Sequence, residues 1–138
     1  MCCGNCSNCG NCGNCSNCTG QRATTLKENI AGLNAAAKII GNNNKEHGFR
    51  SQNTKPTDFV ALIHSEVSEI LEEFRAGYAP TEVYYREDGK PEGIPMELAD
   101  TIIRCLDMAD AYDIDIEAAI AEKHEFNITR PYLHGKKF

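Results

Sequence analysis

Basic residues are in short supply: 14 Lys and Arg stand against 20 Asp and Glu, a formal charge of −6 over 138 residues. A balance of that sign disfavours a nucleic-acid partner and suits a protein that collects divalent cations. Long apolar runs are also missing. No stretch approaches the roughly 20 apolar residues of a membrane helix, and the N-terminus has neither the basic start nor the apolar run of a signal peptide. A soluble, cytoplasmic protein with no membrane partner is the expectation. Large apolar side chains are absent from residues 2–20, which hold only Cys, Asn, Gly, Ser and Thr. No core can form there, so residues 1–20 read as a tail and residues 21–138, about 118 in all, as one domain.

Seven of the eight cysteines lie in that tail, and from Cys3 onward they recur every third residue in an x-Asn-Cys repeat. Two thiolates at C-x-x-C spacing can grip one soft ion, which makes Cys3, Cys6, Cys9, Cys12, Cys15 and Cys18 a candidate site for Zn²⁺ or Cu⁺. No His, fixed loop or apolar residue arranges these ligands, so the composition favours a disordered low-complexity extension over a defined site. Disulfides are disfavoured in a reducing cytosol. Adjacent Cys2 and Cys3 would permit palmitoylation in a eukaryote, while Cys2 stands where myristoylation requires glycine. Cys105, alone in an apolar helical stretch, reads as core packing.

Past Gly20 apolar residues recur at helical intervals. Thr25-Leu26-Lys27-Glu28 matches a capping box, in which hydroxyl and carboxylate satisfy the free amides of a helix start. Leu26, Ile30, Leu33, Ala37 and Ile40 mark one face of a first helix, which Gly41-Asn42-Asn43-Asn44 weakens. It ends there or continues less stably towards Gly48. A second helix is predicted from Thr57, with Phe59, Leu62, Ile63, Val67, Ile70, Leu71 and Phe74 as its apolar set and Gly77 as its stop. Residues 78–93 are rich in turn formers and read as a long loop, a candidate lid, with Val83-Tyr84-Tyr85 as a short extended piece. Pro95 suits the first turn of a third helix whose Leu98, Ala99, Ile102, Ile103, Leu106 and Ala109 face the core. Asp115 caps a fourth, which runs from Ile116 to Thr129 before Pro131. Four helices and no convincing sheet predict an all-α bundle.

Two matched carboxylate pairs carry the chemistry: Glu66-x-x-Glu69 on the second helix and Glu97-x-x-Asp100 on the third. Residues three apart share a helix face, so each pair can aim two oxygens at one point. Two such helices packed together would surround a hard cation such as Mg²⁺. Glu66 interrupts the apolar stripe instead of lying opposite it, and a charge so placed has to be paired, protonated or bound to metal. Glu69 and Glu73 extend the same side. The plainer reading is a solvated acidic face with i,i+4 pairs such as Asp100 to Arg104. On the fourth helix the line Ile116, Ile120 runs on into Lys123 and Asn127, and Arg130, His134, Lys136 and Lys137 follow. Beside a carboxylate-bound metal such groups would meet phosphate oxygens; at a plain helix end they would only favour its dipole.

The segment from about Phe59 to Phe138 resembles a MazG-like nucleotide pyrophosphohydrolase of the all-α NTP pyrophosphatase superfamily. The likeness rests on Glu66-x-x-Glu69, Glu97-Leu-Ala-Asp100, Glu122-Lys123 through Asn127-Ile-Thr-Arg130-Pro131-Tyr132, and His134-Gly135 in that order. It is looser over residues 25–58, with His47-Gly48-Phe49, and has no counterpart for the cysteine tail. The resemblance implies a bundle of four to five helices that forms dimers or tetramers, with sites built from neighbouring subunits. It implies hydrolysis of a nucleoside triphosphate, ribo or deoxy, between the α and β phosphates, giving a monophosphate and pyrophosphate in nucleotide-pool control or house-cleaning. It further implies Glu66, Glu69, Glu97 and Asp100 as ligands of Mg²⁺, with Mn²⁺ as a substitute, and Lys123, Asn127 and Arg130 as phosphate or sugar contacts. Family members often carry a Glu directly before the first metal Glu. Here that place is Ser65, which leaves Glu69 and Glu73 as candidates for the general base. Two other readings stand beside this one: a soft-metal binding protein acting through the tail, and a helical interaction module without catalysis.

Overall fold

The computed structural model describes residues 26–132. Among them five helices and one small hairpin follow in the order α1 (Leu26–Asn29), α2 (Leu33–Glu46), α3 (Pro56–Ala76), β1 (Tyr84–Tyr85), β2 (Pro91–Glu92), α4 (Ile94–Ala111) and α5 (Ile116–Ile128). Thr25 of the expected capping box lies outside the described residues, as do Cys105's seven companions in the tail. The fold is all-α apart from the hairpin. No described helix is long and apolar enough to cross a membrane.

The expected first helix is two pieces. Gly32 takes φ +106°, a left-handed backbone that cannot continue a right-handed helix, and α2 begins immediately after it. Glu117 of α5 caps the new start, its Oε1 accepting the backbone N–H of Gly32 at 2.8 Å and of Asn34 at 2.9 Å. Asn34 answers by donating to Asp115 at 2.8 Å and accepting from Ile116 N–H at 3.0 Å. At its other end α2 runs through the Asn-rich stretch to Glu46, because Asn44 is buried there and its carbonyl accepts the Arg50 N–H at 3.1 Å. Helix α3 opens at Pro56, with Asp58 accepting the Lys55 N–H at 2.8 Å, and closes at Gly77. Asp115 caps α5 by accepting from Ala118 N–H at 3.0 Å.

Helix α4 is central, with α2 and α3 as its main neighbours, while α5 leans on α1 and α2. Among the described residues the core is small: Ala37, Phe59, Ile94, Leu106 and Ala109 are its buried apolar side chains, and Phe59 meets Tyr112 edge to face at 5.7 Å. A buried ion cluster adds to it. The Arg50 guanidinium donates to the Asp107 carbonyl at 2.7 Å and to the Gly41 carbonyl at 3.3 Å, and it pairs with both Asp107 and Asp110. That cluster ties the segment after α2 to the second half of α4. The apolar stripes of α3 and α4, in contrast, do not all face inward as expected. Leu62, Val67, Leu71 and Phe74 on α3, and Leu98, Ile102 and Ile103 on α4, are exposed, and so is Cys105. Periodicity marks an apolar face but does not say which chain covers it.

Candidate metal centre

Helical spacing turns Phe59, Ile63, Glu66, Ile70 and Glu73 to one side of α3. On α4 the corresponding side carries Glu97, Asp100 and Arg104. Where the two helices pack, Glu66, Glu97 and Asp100 each offer an oxygen, and these atoms all lie within 4.8 Å of one another. That span is little more than the roughly 4.2 Å across an octahedral Mg²⁺ shell with donors at about 2.1 Å. The acids are withdrawn from water: Glu66 is 8 % exposed and Glu97 2 %. Glu97 Oε2 is buried with no amide, hydroxyl or cationic donor against it, and the one carboxyl that Glu97 bonds, Glu92, is another acid, so a cation would satisfy it. An all-carboxylate donor set fits a hard divalent cation, Mg²⁺ or Mn²⁺, and not a soft one.

Crowded carboxylates resist ionisation. Burial, then the charge of Glu69, then the neighbouring Glu92 push Glu97 up to about 7. Asp100 is raised by burial first and by Glu66 second. Among the described residues Lys90 offsets this crowding by its charge, and Arg104 by a direct bond, its Nε donating to Glu66 Oε1 at 2.9 Å across from α4 to α3. The simple i,i+4 pairing of Arg104 with Asp100 is therefore not the one adopted.

The other candidate acids stand around this trio. Glu69 is exposed, accepts a long 3.4 Å bond from Ser65 Oγ, and is close enough to bear on the ionisation of Glu97 without joining the cluster. Glu73 points towards the hairpin, where Tyr84 Oη donates to its Oε1 at 3.1 Å; its Oε2 is buried without a partner. Tyr84 stacks on Tyr78 at 4.6 Å, and its hydroxyl is pushed up to about 12 by burial and then by Glu73.

Glu92 and Lys90 join the site without having been singled out from sequence. Pairing of Tyr84 with Glu92 and of Tyr85 with Pro91 brings the chain back to α4. Gly93 makes the junction at φ +112°, where a Cβ would come within 2.5 Å of the Glu82 carbonyl oxygen. Glu92 thereby lies against Glu97, while Lys90 Nζ pairs with it at 3.0 Å and holds its carboxyl below the usual range. The Asp88-Gly89 turn was the available signal. Proline at 91 is tolerated because β2 is an edge strand of two residues.

The basic constellation lies elsewhere on the described chain. Lys123, Asn127 and Arg130 are exposed on and after α5, with Lys123 and Arg130 at 5.6 and 5.2 Å from the Phe126 ring. No residue of α5 is fully buried: Ile116 and Ile120 are half-buried, and the line they begin runs out to water at Lys123 and Asn127. Cys3, Cys6, Cys9, Cys12, Cys15 and Cys18, together with His134, Lys136 and Lys137, fall outside the described residues. Comparison with protein-family models, with curated proteins and with solved structures finds no match to this chain.

Proposed function

We propose that the protein hydrolyses a nucleoside triphosphate, ribo or deoxy, at the α–β bond with Mg²⁺ or Mn²⁺, releasing pyrophosphate. The observation that carries this reading is the meeting of Glu66, Glu97 and Asp100 between α3 and α4, with one buried Glu97 oxygen left without a donor. The resemblance of the Glu66-x-x-Glu69, Glu97-x-x-Asp100 and Lys123-to-Arg130 motifs to MazG-like enzymes supplies the reaction class. When bound, the cation would neutralise phosphate charge and favour ionisation of a water molecule. The chain does the rest. Glu66, Glu97 and Asp100 would hold the cation, with Lys90 limiting the negative charge around them and Arg104 bonded to Glu66. Glu69, exposed beside the cluster, is the better placed candidate to orient or deprotonate the attacking water, because Glu73 is engaged by Tyr84. A pyrophosphate-release screen over a nucleotide panel, with and without Mg²⁺, tests the proposal; no release from any nucleotide would contradict it.

A pH dependence follows from Glu97. Without a cation it keeps its proton up to about pH 7, so cation uptake must release that proton. Affinity for Mn²⁺ should fall about tenfold per pH unit below pH 7 and level off above it, as titration calorimetry would record. The same raised value acts against the metal-free fold. Between the ordinary Glu range and about 7 the native state binds a proton that the unfolded chain has released, so this contribution turns unfavourable as pH rises.

The proposed enzyme is a homo-oligomer. Val67, Leu71 and Phe74 on α3 are 48–50 % exposed and Leu98 and Ile102 on α4 are 52 % and 50 %, so apolar side chains on successive turns meet water. A second copy would cover them and could bring its own Lys123, Asn127 and Arg130 to the phosphate side of the acids. Leu71→Asp combined with Phe74→Asp should convert the assembly to monomers by sedimentation velocity. A wild-type chain that is already monomeric would contradict the assembly.

A further inference from the structure

Arg104 lies outside the motifs that carry the family resemblance, yet among the described residues its guanidinium is the positive group that bonds directly to one of the three clustered acids. Its Nε donates to Glu66 Oε1 at 2.9 Å, with the two side chains 27 % and 10 % exposed. A single bond from Nε engages one carboxylate oxygen and leaves Glu66 with further lone pairs to offer a cation. Glu97 of the same cluster has a buried Oε2 with no amide, hydroxyl or cationic donor against it, its carboxyl neighbour Glu92 being another acid, an independent sign that a ligand belongs there. Two roles with opposite consequences are open to such an arginine. As a counter-charge it would compete with an incoming cation; as an anchor it would restrict Glu66 to the rotamer a cation needs.

We propose that Arg104 is a positioning residue that fixes Glu66 for the cation, an inference that rests on reading the acid cluster as a cation site. The reach across helices favours the anchor. The charge of Arg104 still bears on Asp100 four residues away on the same helix, but its direct bond spans to Glu66 on α3, the arrangement that holds the two ligand-bearing helices in register. Outer partners of metal-binding carboxylates typically change metal affinity by about 10–100-fold when removed.

The test uses the full chain and Mn²⁺ alone at pH 8 by titration calorimetry, since thiolates of the tail take up that hard cation poorly. Arg104→Met is expected to bind Mn²⁺ about 10–100-fold more weakly than wild type. Arg104→Lys, which keeps the charge but not the planar Nε–H, should regain only part of that loss. Binding by Arg104→Met that is unchanged or tighter overturns the anchor while the cation site stands. Full recovery in Arg104→Lys overturns it too, because charge alone then suffices. A wild-type chain that takes up no Mn²⁺ removes the site and the inference together. Should Arg104→Met fail to fold by circular dichroism, Arg104→Lys decides alone, and wild-type affinity in it is the contradicting result.

Discussion

Glu97→Gln is expected to abolish pyrophosphate release, with turnover reduced by about 10³-fold or more for several kcal/mol of lost transition-state stabilisation. The side chain is 2 % exposed and sits among the clustered oxygens, so no water-borne substitute can take its place. The fold should not suffer. In the metal-free protein Glu97 is held neutral up to about pH 7, and an amide of the same size is neutral too. Helical circular dichroism should therefore match wild type, and the melting temperature above pH 7 should be equal or higher. Unchanged turnover with Mg²⁺ would contradict the assignment of the site.

Arg50→Met is the largest expected loss of stability. It leaves Asp107, 5 % exposed, as a buried carboxylate without its cation and strips Asp110 of its main partner. Breaking a buried pair by removing one member costs about 3–5 kcal/mol. For a domain of this size that is roughly 15–25 °C in melting temperature. The guanidinium of Arg50 holds the Asp110 carboxyl below the usual carboxylate range. That share of stability is present above the ordinary Asp range and fades as pH falls through the depressed value. The wild-type and mutant melting curves should therefore converge in acid. A drop of only a few degrees at neutral pH would mean that the cluster is better solvated than its burial implies.

Much of the helical frame could be read from spacing and punctuation. Pro56 and Gly77 bracket α3, and Asp115 starts α5, because caps and stops act over one turn and need no distant partner. The break at Gly32 was not legible: a lone glycine in an apolar line is ambiguous until Glu117, 85 residues away, caps the amides it exposes. The inward turn of Glu66 could be inferred because it interrupts an apolar stripe, and Glu97 and Asp100 followed from their spacing of three. Glu69 shares that spacing with Glu66 but lies on the exposed flank, since a step of three on a helix still rotates about 60° away from the facing helix. Glu92 and Lys90 were hidden because a hairpin of two-residue strands leaves no periodicity to detect. The exposed halves of the α3 and α4 stripes read as core from spacing alone, because local pattern carries no information on whether a cover comes from the same chain.

The central claim is that Glu66, Glu97 and Asp100 gather one divalent cation between α3 and α4. Crystals grown with Mn²⁺ at millimolar concentration test it by anomalous scattering. The account predicts a peak within bonding distance of all three carboxylates. Peaks confined to other surfaces, with the trio bare at a pH above 7, would contradict it.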